Sequence, residues 1–331
     1  MLRRKRFQQL AQIRVVGVGN GGTTAVNAMI EAGVHGVDFV TVDGNERDLK
    51  KSRAPVAICA RRQVGATGLQ SSRGELQAAL GGSDMVFIVG GLGGRAGTRL
   101  AAEVATEARR DGALTTAIVT TPFSFEGAVR AQQAHQGISM LKEVTNTLIV
   151  IPNDRLLAMA GGALAFHQTY DLALKIWRQS VQGISELINA PGLVNVDFAD
   201  VRTIMSGGGP SIIAMGRGSG PNRARVAAEQ ATNFPFLEVT IDGARGVLFN
   251  ISGGPSMTLH EVRQAAAVIR RRADPDVNVI FGATVDPSLE DEIRMTLIAT
   301  GCGFAPAQVP AASGAAAAAE LSAATAATNL V

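Results

Sequence analysis

Residues 13–30 read IRVVGVGNGGTTAVNAMI, which is a short apolar run, a glycine-rich turn and then apolar residues at helical spacing. The first run is almost continuously apolar, as expected of a strand that is covered on both faces of a sheet. Four later runs have the same character, and segments long enough for crossover helices separate them. They are VDFVTV, DMVFIV, LTTAIVT and TLIVIP. The predicted fold class is therefore α/β, with a doubly wound parallel sheet.

The glycine-rich turn at residues 17–22, GVGNGG, is suited to bind phosphate. Glycine has no Cβ, so backbone N–H groups can approach an anion, and the amino end of the following helix adds a positive dipole. The spacing also satisfies the G-x-G-x-x-G pattern of dinucleotide-binding folds. Asp43 ends the second strand, where such a fold places its ribose-binding acid. A nicotinamide-dinucleotide site is therefore one alternative.

A second glycine-rich loop, GGLGGRAGT at residues 90–98, follows another predicted strand and again leads into a helix. The carboxyl ends of parallel strands meet at one edge of the sheet, so the two loops should lie together. Two anion-binding turns at one edge suit a triphosphate better than a single pyrophosphate. No GKS or GKT follows either loop, which argues against a P-loop NTPase.

A long amphipathic helix is predicted at residues 169–189, with an apolar stripe of 3.6-residue period. Beyond it, four strand-like runs surround two helical patterns, near 222–232 and 258–272, which predicts a second, smaller α/β domain. The predicted organisation is a basic N-terminal arm at 1–12, a nucleotide-binding domain at 13–168, a central helix at 169–190, a second domain at 191–304 and an alanine-rich disordered tail at 305–331.

Composition excludes several classes of protein. Aromatic residues make up 4% of the 331 residues and the net charge is +3, so neither an aromatic-stacking nucleic-acid binder nor strong electrostatic steering is expected. Cys59 and Cys302 lie far apart, and no metal-ligand spacing is present, so no protein metal site is predicted and a cytoplasmic location is favoured. No apolar run approaches 18 residues. Membrane contact is expected only indirectly or through the basic arm at 3–6.

Several ordered segments resemble the FtsZ family of the tubulin superfamily, from about Ile13 to Gly303. They are VTTPFSFEGAVR at 119–130, IPNDRLL at 151–157, VQGISELI at 181–188, PGLVNVDFADVRTIMS at 191–206, GARGVLFNIS at 243–252 and the closing DEIRMTLIATGCG. The resemblance implies a guanine-nucleotide domain, a central helix and an activation domain. It also implies subunits that stack head to tail into filaments.

The family's activity follows as an expectation from this resemblance. GTP or GDP would bind in the first domain, with Mg²⁺ held mainly by phosphates and water. Each subunit would present its NVDFAD segment to the phosphates bound by its neighbour, and GTP would be hydrolysed between them. The implied cellular role is bacterial cell division, in the cytoplasm at the division site.

The predicted catalytic residues are Asp197, Asp200 and Asn195. The two carboxylates are three residues apart, so at a helix start they project from one face and could orient a water molecule toward a γ-phosphate. The alternative is a solvated pair that caps the helix. The resemblance favours the catalytic interpretation.

The predicted nucleotide contacts carry over from the family residue by residue. Glu126 and Arg130 would contact ribose and phosphate from one helix face. Asn153 and Asp171 would lie near the base, with Asp171 suited to the N1–H and exocyclic amine edge of guanine, and the ring of Phe166 would pack against the base. The predicted phosphate-binding residues are Gly19, Asn20, Gly21, Gly22, Gly91, Gly93, Gly94, Arg95, Ala96, Gly97 and Thr98.

The chain departs from the family in its second glycine loop, which normally reads GGGTGTG and here reads GGRAGTR at 93–99. A non-glycine residue at a position that needs positive φ costs roughly 1 to 2 kcal/mol. Arg95 could instead bind phosphate oxygens through its planar fork.

Other departures also lie around the pocket. Asn20 replaces a glycine, Thr23 and Thr24 replace Gly-Asn, Tyr170 replaces an asparagine, and the loop at 64–69 is shortened. The family's terminal adaptor-binding peptide is not recognisable in the tail. The NVDFAD segment is unaltered, so a degenerate paralogue that co-assembles with or regulates a conventional FtsZ is the alternative to a self-assembling GTPase. A dinucleotide enzyme is disfavoured because NVDFADV and PFSFEG would have no role in it.

Overall fold

The computed structural model describes residues 11–60, 72–159, 166–189, 192–207, 210–233 and 239–304. Its first part is a six-stranded sheet with the order β3-β2-β1-β4-β5-β6, in which all neighbours are parallel. The strands are β1 Ile13–Val18, β2 Asp38–Asp43, β3 Val56–Cys59, β4 Met85–Gly91, β5 Leu114–Thr121 and β6 Thr147–Pro152. The predicted doubly wound parallel sheet is confirmed.

Helices cover both faces of this sheet. They are α1 Gly19–Glu31, α2 Glu46–Leu49, α3 Arg73–Leu80, α4 Arg95–Arg110, α5 Ala128–Val144 and α6 Asn153–Met159. Successive side chains of a strand point to opposite faces, so the side chains of β1 are divided between two hydrophobic cores. Ile13 and Val15 belong to one core, and Val16 and Val18 to the other. Burial on both faces explains why the strands read as continuous apolar runs.

The central helix is α7, Phe166–Asn189. Its apolar stripe, which includes Ile176, Trp177, Val181 and Ile184, is buried in a core that continues into the second part of the molecule. The indole Nε1 of Trp177 donates a hydrogen bond of 2.9 Å to the carbonyl of Ile118 on β5. The central helix therefore fixes the second sheet against the first.

The second part contains a four-stranded sheet with the order β10-β9-β11-β7. β9 and β10 are parallel, whereas β11 is antiparallel to both β9 and β7. Its elements are α8 Phe198–Met205, β7 Ser211–Ser219, α9 Arg223–Thr232, β8 Val239–Thr240, β9 Gly246–Gly253, α10 Leu259–Arg270, β10 Asn278–Val285, β11 Glu292–Thr300 and β12 Gly303–Phe304, with β8 and β12 pairing separately. The predicted smaller second α/β unit is confirmed.

The basic arm at 3–6, the shortened loop at 64–69 and the alanine-rich tail at 305–331 lie outside the described residues. The exact domain boundaries stay predictions. Within the described ranges, no helix combines the length and apolar character needed to cross a membrane.

Candidate nucleotide site and carboxylate loop

The two glycine-rich turns follow β1 and β4, the neighbouring strands between which the strand order reverses. Such a switch point is where open parallel sheets bind ligands. A methyl group built on Gly19 would lie 3.6 Å from Cα of Gly97, and one on Gly21 would lie 3.6 Å from the backbone nitrogen of Gly91. The structure therefore brings both predicted turns into one site at the carboxyl edge of the sheet, called here the nucleotide edge.

Two glycines of the first turn serve packing. A Cβ on Gly17 would overlap the carbonyl of Gly22, and a Cβ on Gly22 would lie 2.5 Å from the carbonyl oxygen of Val89. Real side chains do not reach such distances, so the turn, α1 and β4 can pack this closely only with glycine at both positions. Gly21, by contrast, is exposed and lies open to a ligand.

The nucleotide edge contains the amino ends of α1 and α4. Neither helix has a side-chain cap, and the first turn of each has no acidic residue. The first N–H groups of a helix lack intrahelical acceptors, so these two ends together present positive potential to an anion. Gly94, the N-cap of α4, is exposed, and a Cβ built there would meet no atom within 4 Å.

The second glycine loop is held by its own residues. Gly93 has φ +107°, and its N–H donates to Oγ1 of Thr98 at 3.3 Å. Thr98 is buried, so its hydroxyl fixes the turn that leads into α4. Gly97 lies beside Gly91, with 3.8 Å between a built Cβ and the Gly91 carbonyl oxygen.

The two arginines of this loop do not strain the backbone. Both lie in α4, and in the described ranges Glu290 is the single non-glycine residue with positive φ. Arg95 and Arg99 therefore do not incur the free-energy cost of a non-glycine residue at positive φ. Arg99 forms an ion pair with Glu103, one turn further along the helix, with 3.2 Å between Nε and Oε1. The side chains of Arg95 and Ala96 lie outside the described part, and their roles stay predictions.

Glu126 and Arg130 meet beside the second glycine loop. Glu126 ends a 3₁₀ turn at Ser124–Glu126, and its carboxylate pairs with the Arg130 guanidinium in the first turn of α5. Oε1 of Glu126 also accepts the backbone N–H of Phe123 at 3.0 Å. The Arg130 backbone lies 3.4 Å from a Cβ built on Gly93, so the ion pair borders the nucleotide edge.

Aromatic rings line the same edge. The rings of Phe123 and Phe125 stack with centroids 4.9 Å apart, and Tyr170 packs edge-on against Phe123 at 5.8 Å. Partial burial raises the pKa of Tyr170, the Glu126 charge raises it further and Arg130 opposes this. Tyr170 thus lies by the Glu126–Arg130 pair, although sequence reasoning treated it only as a lost asparagine. The sequence signal that could have identified Tyr170 as a site residue is its position one helical turn after Phe166.

Two of the remaining predicted base contacts, Asp171 and Asn153, belong to the helices next to these rings. Asp171 is exposed in the turn of α7 that carries Tyr170, and Asn153 is the buried first residue of α6. The side chain of Phe166 lies outside the described part. Sequence reasoning missed Asp154, whose two carboxylate oxygens accept the backbone N–H of Ser124 at 3.0 and 3.1 Å. Asp154 thereby fixes the turn that carries Glu126.

The three predicted catalytic residues form a second, separate site, called here the carboxylate loop. Oδ1 of Asn195 accepts the Gly192 N–H at 2.6 Å, and Asp197 is the N-cap of α8, accepting the Ala199 N–H at 3.3 Å. Asp200 lies in the first turn of α8, and all three side chains are exposed. Asp197 therefore caps α8, as the alternative interpretation of the two carboxylates expected, whereas the Asp200 carboxylate faces solvent.

The carboxylate loop lies at the opposite end of the large sheet from the glycine turns. On α8, the Arg202 guanidinium donates to the carbonyls of Gly112 at 3.2 Å and Asp84 at 3.4 Å, which precede β5 and β4. Thr147, at the amino end of β6, donates to the Met205 carbonyl at 2.8 Å. β4 has seven residues and spans about 20 Å. Asp200 therefore cannot reach phosphates bound at the nucleotide edge of its own subunit.

Comparison with known proteins agrees with this geometry. Residues 12–161 match the model for the Tubulin/FtsZ family, GTPase domain, and residues 209–303 match that for the FtsZ family, C-terminal domain. An empty FtsZ dimer from M. jannaschii is 37% identical, with 89% of each chain covered and a TM-score of 0.80. The chain belongs to the tubulin/FtsZ family. A point mutant of FtsZ from M. jannaschii is likewise 37% identical, with a TM-score of 0.81 over 90% of this chain and 94% of that one.

More distant structures share the fold of this FtsZ-family chain. CetZ2 from Haloferax volcanii, solved as a GTPγS-bound protofilament, is 18% identical and has a TM-score of 0.74 over 88% of this chain and 93% of that one. At this identity the likeness concerns the fold alone. The matched GTPase domain contains both glycine turns and Asp43, so GTP or GDP replaces the dinucleotide alternative.

The geometry around Asp43 supports this replacement. Its carboxylate is buried and accepts the Asn45 N–H at 2.9 Å, and burial raises its pKa. The Asp43 carboxylate is therefore used to hold the turn that follows β2.

The described residues contain no cluster of three or more histidine, cysteine or acidic side chains placed to hold a metal ion.

Proposed function

We propose that this chain is a self-assembling GTPase whose active site is completed between two copies. GTP would bind at the nucleotide edge of one subunit, and the carboxylate loop of the next subunit would supply the catalytic groups. The observation that carries this proposal is the separation of the two sites, with the glycine turns after β1 and β4 and Asp200 beyond the opposite end of the sheet.

The nucleotide edge is suited to a triphosphate. The uncapped amino ends of α1 and α4 offer backbone N–H groups, and the exposed Gly21 and Gly94 leave room for phosphate oxygens. Arg130 offers a cation beside them, and the exposed Tyr170 ring offers a surface for the base or ribose. Mg²⁺ would be held by phosphate oxygens and water, since neither first helical turn has a carboxylate.

The carboxylate loop is suited to activate water. Asp200 of the next subunit would orient a water molecule whose oxygen attacks the γ-phosphorus, and the bond from that phosphorus to the β,γ-bridging oxygen breaks. The products are GDP and phosphate, with the water proton passing to solvent through the carboxylate or a phosphate oxygen. Asp197 would hold the start of α8, and Asn195 would hold the turn at Gly192.

Exposed apolar side chains at both sites support head-to-tail contact. Phe125 and Val129 are 67% and 68% exposed near the Glu126–Arg130 pair. Leu193, in the carboxylate loop, is 74% exposed, and a β-bridge from Val194 to Ala283 of β10 holds it there. These patches are not identical, so pairing one with the other gives a heterologous contact that repeats into a filament.

The test is GTP turnover as a function of protein concentration. Purified, nucleotide-stripped protein is incubated with GTP and Mg²⁺, and phosphate release per subunit is measured together with filament mass by sedimentation. A site completed between copies predicts specific activity that rises steeply with concentration and then levels off. Constant specific activity across a hundredfold concentration range would contradict the proposal.

A second candidate function rests on Arg95, which is the first residue of α4, directly after the second glycine-rich turn. In this alternative the chain binds its own nucleotide weakly and co-assembles with a conventional FtsZ, whose GTP its carboxylate loop would activate. Substoichiometric addition should then change the GTP turnover and filament mass of the conventional protein. Unchanged turnover and mass would remove this candidate.

The cellular role is proposed to be division, with filaments in the cytoplasm at the division site and membrane attachment only indirect or through the basic arm. The support is membership of the tubulin/FtsZ family. Fluorescence microscopy of a tagged chain in the source cell tests this role. Uniform fluorescence throughout the division cycle would contradict it.

A further inference from the structure

Helix α5 contains one glycine, Gly137, near its midpoint. Gly137 is buried, together with Ala134 and Leu141 on the same face of the helix. In the interior of a helix, glycine is less favourable than every other residue except proline, because its backbone is the most flexible in the unfolded chain. A buried glycine at this position therefore indicates a neighbour that leaves no room for a side chain.

That neighbour is Thr98 on α4. A Cβ built on Gly137 would lie 2.3 Å from Cγ2 of Thr98, whereas nonbonded carbon atoms pack at roughly 3.5 to 4.0 Å. The same Cβ would lie 3.3 Å from Cδ2 of Leu92, which belongs to a side chain that can change rotamer. Thr98 is itself buried, so its contact with Gly137 decides how closely α4 and α5 can approach each other.

Thr98 connects this packing contact to the second glycine-rich turn. Its Oγ1 accepts the N–H of Gly93 at 3.3 Å, and its own N–H donates to the carbonyl of Gly94 at 3.0 Å. Gly94 is the exposed N-cap of α4 at the nucleotide edge. A displacement of Thr98 is therefore passed directly to the backbone of the turn.

The branched side chain of threonine makes this connection stiff. Cγ2 and Oγ1 are both attached to Cβ, so a rotation about χ1 that moves the methyl group away from α5 also moves the hydroxyl away from Gly93. A shift of the first turn of α4 would instead carry Gly94 with it, because Thr98 is hydrogen-bonded to Gly94. Either response changes the directions of the N–H groups at the nucleotide edge.

A movement of α5 would also change the nucleotide edge. Arg130 lies seven residues before Gly137, which is about two turns of the helix. Its guanidinium pairs with Glu126, and its carbonyl oxygen would lie 3.4 Å from a Cβ built on Gly93. A shift of α5 would therefore displace the cation that borders the turn.

We propose that Gly137 is a positioning residue for phosphate binding and that it acts through Thr98. The absence of a side chain at Gly137 lets Thr98 hold Gly93 and Gly94 in the geometry that directs backbone N–H groups toward an anion. This role rests on the proposed binding of GTP at the nucleotide edge.

The test compares four variants of the full chain with the parent. Gly137→Ala adds the overlapping methyl group, and G137A/T98S removes Cγ2 but keeps the hydroxyl that accepts from Gly93. Thr98→Ser alone is the reference for the double variant. The matched control is Gly183→Ala, because Gly183 is a buried glycine of α7 whose Cβ would lie 2.8 Å from Cγ2 of Thr296 on β11, in the second sheet.

GTP affinity is measured by calorimetry on nucleotide-stripped protein, and stability by urea denaturation. Gly137→Ala should bind GTP at least about tenfold more weakly than the parent chain, since a misplacement of about 1 Å can cost an oriented site up to about 100-fold. G137A/T98S should bind GTP within about threefold of Thr98→Ser, because the space for the new methyl group is restored. Gly183→Ala should lose stability but keep the GTP affinity of the parent chain.

Amide hydrogen exchange in the nucleotide-free protein reports on the turn itself. The N–H of Gly93 should exchange at least about tenfold faster in Gly137→Ala and should regain its protection in G137A/T98S. Gly183→Ala should leave this exchange rate unchanged. A glycine that served only the stability of the fold would not produce this local pattern.

Three results would overturn the proposed role of Gly137 alone. They are a parent-like GTP affinity in Gly137→Ala, an equal loss of GTP affinity in Gly183→Ala, and failure of Thr98→Ser to restore binding in the double variant. Absence of GTP binding by the parent chain would instead overturn the proposed function, and the role of Gly137 with it.

A further variant covers the case in which Gly137→Ala does not fold. Thr98→Val keeps the shape of the side chain and its contact with Gly137, but it removes the acceptor of the Gly93 N–H. It should weaken GTP binding at least about fivefold, because the hydrogen bond that fixes the turn is lost. Unchanged GTP affinity in Thr98→Val would overturn the proposed path through Thr98.

Discussion

The nucleotide edge and the carboxylate loop are built in different ways. The nucleotide edge is mainly backbone, with two uncapped helix starts and glycines that let them approach each other. The carboxylate loop depends on side chains, with Asp200 on a short helix that Asp197 caps. A backbone site keeps its N–H groups when Arg95 replaces glycine in a helical turn, whereas a side-chain site fails when one carboxylate is removed. The sequence is altered at the first site and unaltered at the second.

The largest expected effect is at the carboxylate loop. Asp200→Ala should lower GTP turnover by about 100-fold to 1,000-fold, which is typical for loss of one group that acts in the transition state. GTP affinity should stay within twofold, because the residue serves the neighbouring subunit. Calorimetry and phosphate release measure the two quantities. Glu143→Ala, which removes an exposed carboxylate on α5, is the control and should change neither.

A charge at the nucleotide edge should have the next largest effect. Gly94→Asp places a carboxylate at the start of α4, and GTP affinity should fall about 100-fold through loss of the favourable helix-end potential and direct repulsion of phosphate. Folding should be preserved, because aspartate is a good N-cap and a Cβ there meets no atom within 4 Å. Gly94→Asn is the neutral control with a side chain of equal shape. A similar loss of GTP affinity in Gly94→Asn would show that the size of the side chain, and not its charge, weakens binding.

Substitution of Gly22, which packs against β4, should affect stability, whereas substitution of Gly94 should affect GTP binding. In Gly22→Ala the new methyl group would overlap the Val89 carbonyl, so the free energy of unfolding should fall by about 1 to 3 kcal/mol, as in overpacked cores. Urea denaturation measures this change. Unchanged stability would mean that the first turn does not pack against β4 as described.

The aromatic ring at the nucleotide edge should contribute less. Tyr170→Ala should weaken GTP binding about fivefold to tenfold, since stacking of a base on an aromatic ring contributes about 1 kcal/mol or more. Tyr170→Phe keeps the ring and should bind GTP as the parent chain does. If the two variants bind GTP equally well, the ring does not contact the nucleotide.

The smallest effect is expected at Arg99. Its ion pair with Glu103 joins two partly exposed neighbours on one helix, so Arg99→Ala should change the free energy of unfolding by about 0.5 kcal/mol or less. GTP affinity should change less than twofold, because the side chain points along α4. A large loss of affinity would show that Arg99 turns toward phosphate instead.

Apolar runs predicted most of the fold because strands covered on both faces need continuous apolar sequence. β3 was missed, since this four-residue edge strand follows Pro55 and has two exposed residues. The glycine turns were predictable because their role lies in the backbone. The contacts of Tyr170 and Asp154 were not, because they arise from the packing of α7 and α6 against the loop after β5. The separation of Asp200 from the turns also needed the three-dimensional order of the strands.

The most direct test of the shared site mixes two inactive variants. Asp200→Ala keeps the nucleotide edge, and Gly94→Asp keeps the carboxylate loop. If the active site forms between copies, the mixture should hydrolyse GTP at a substantial fraction of the parent rate, with a maximum near equal amounts, although neither variant does so alone. Turnover in the mixture no higher than the sum of the two separate variants would contradict a site shared between subunits.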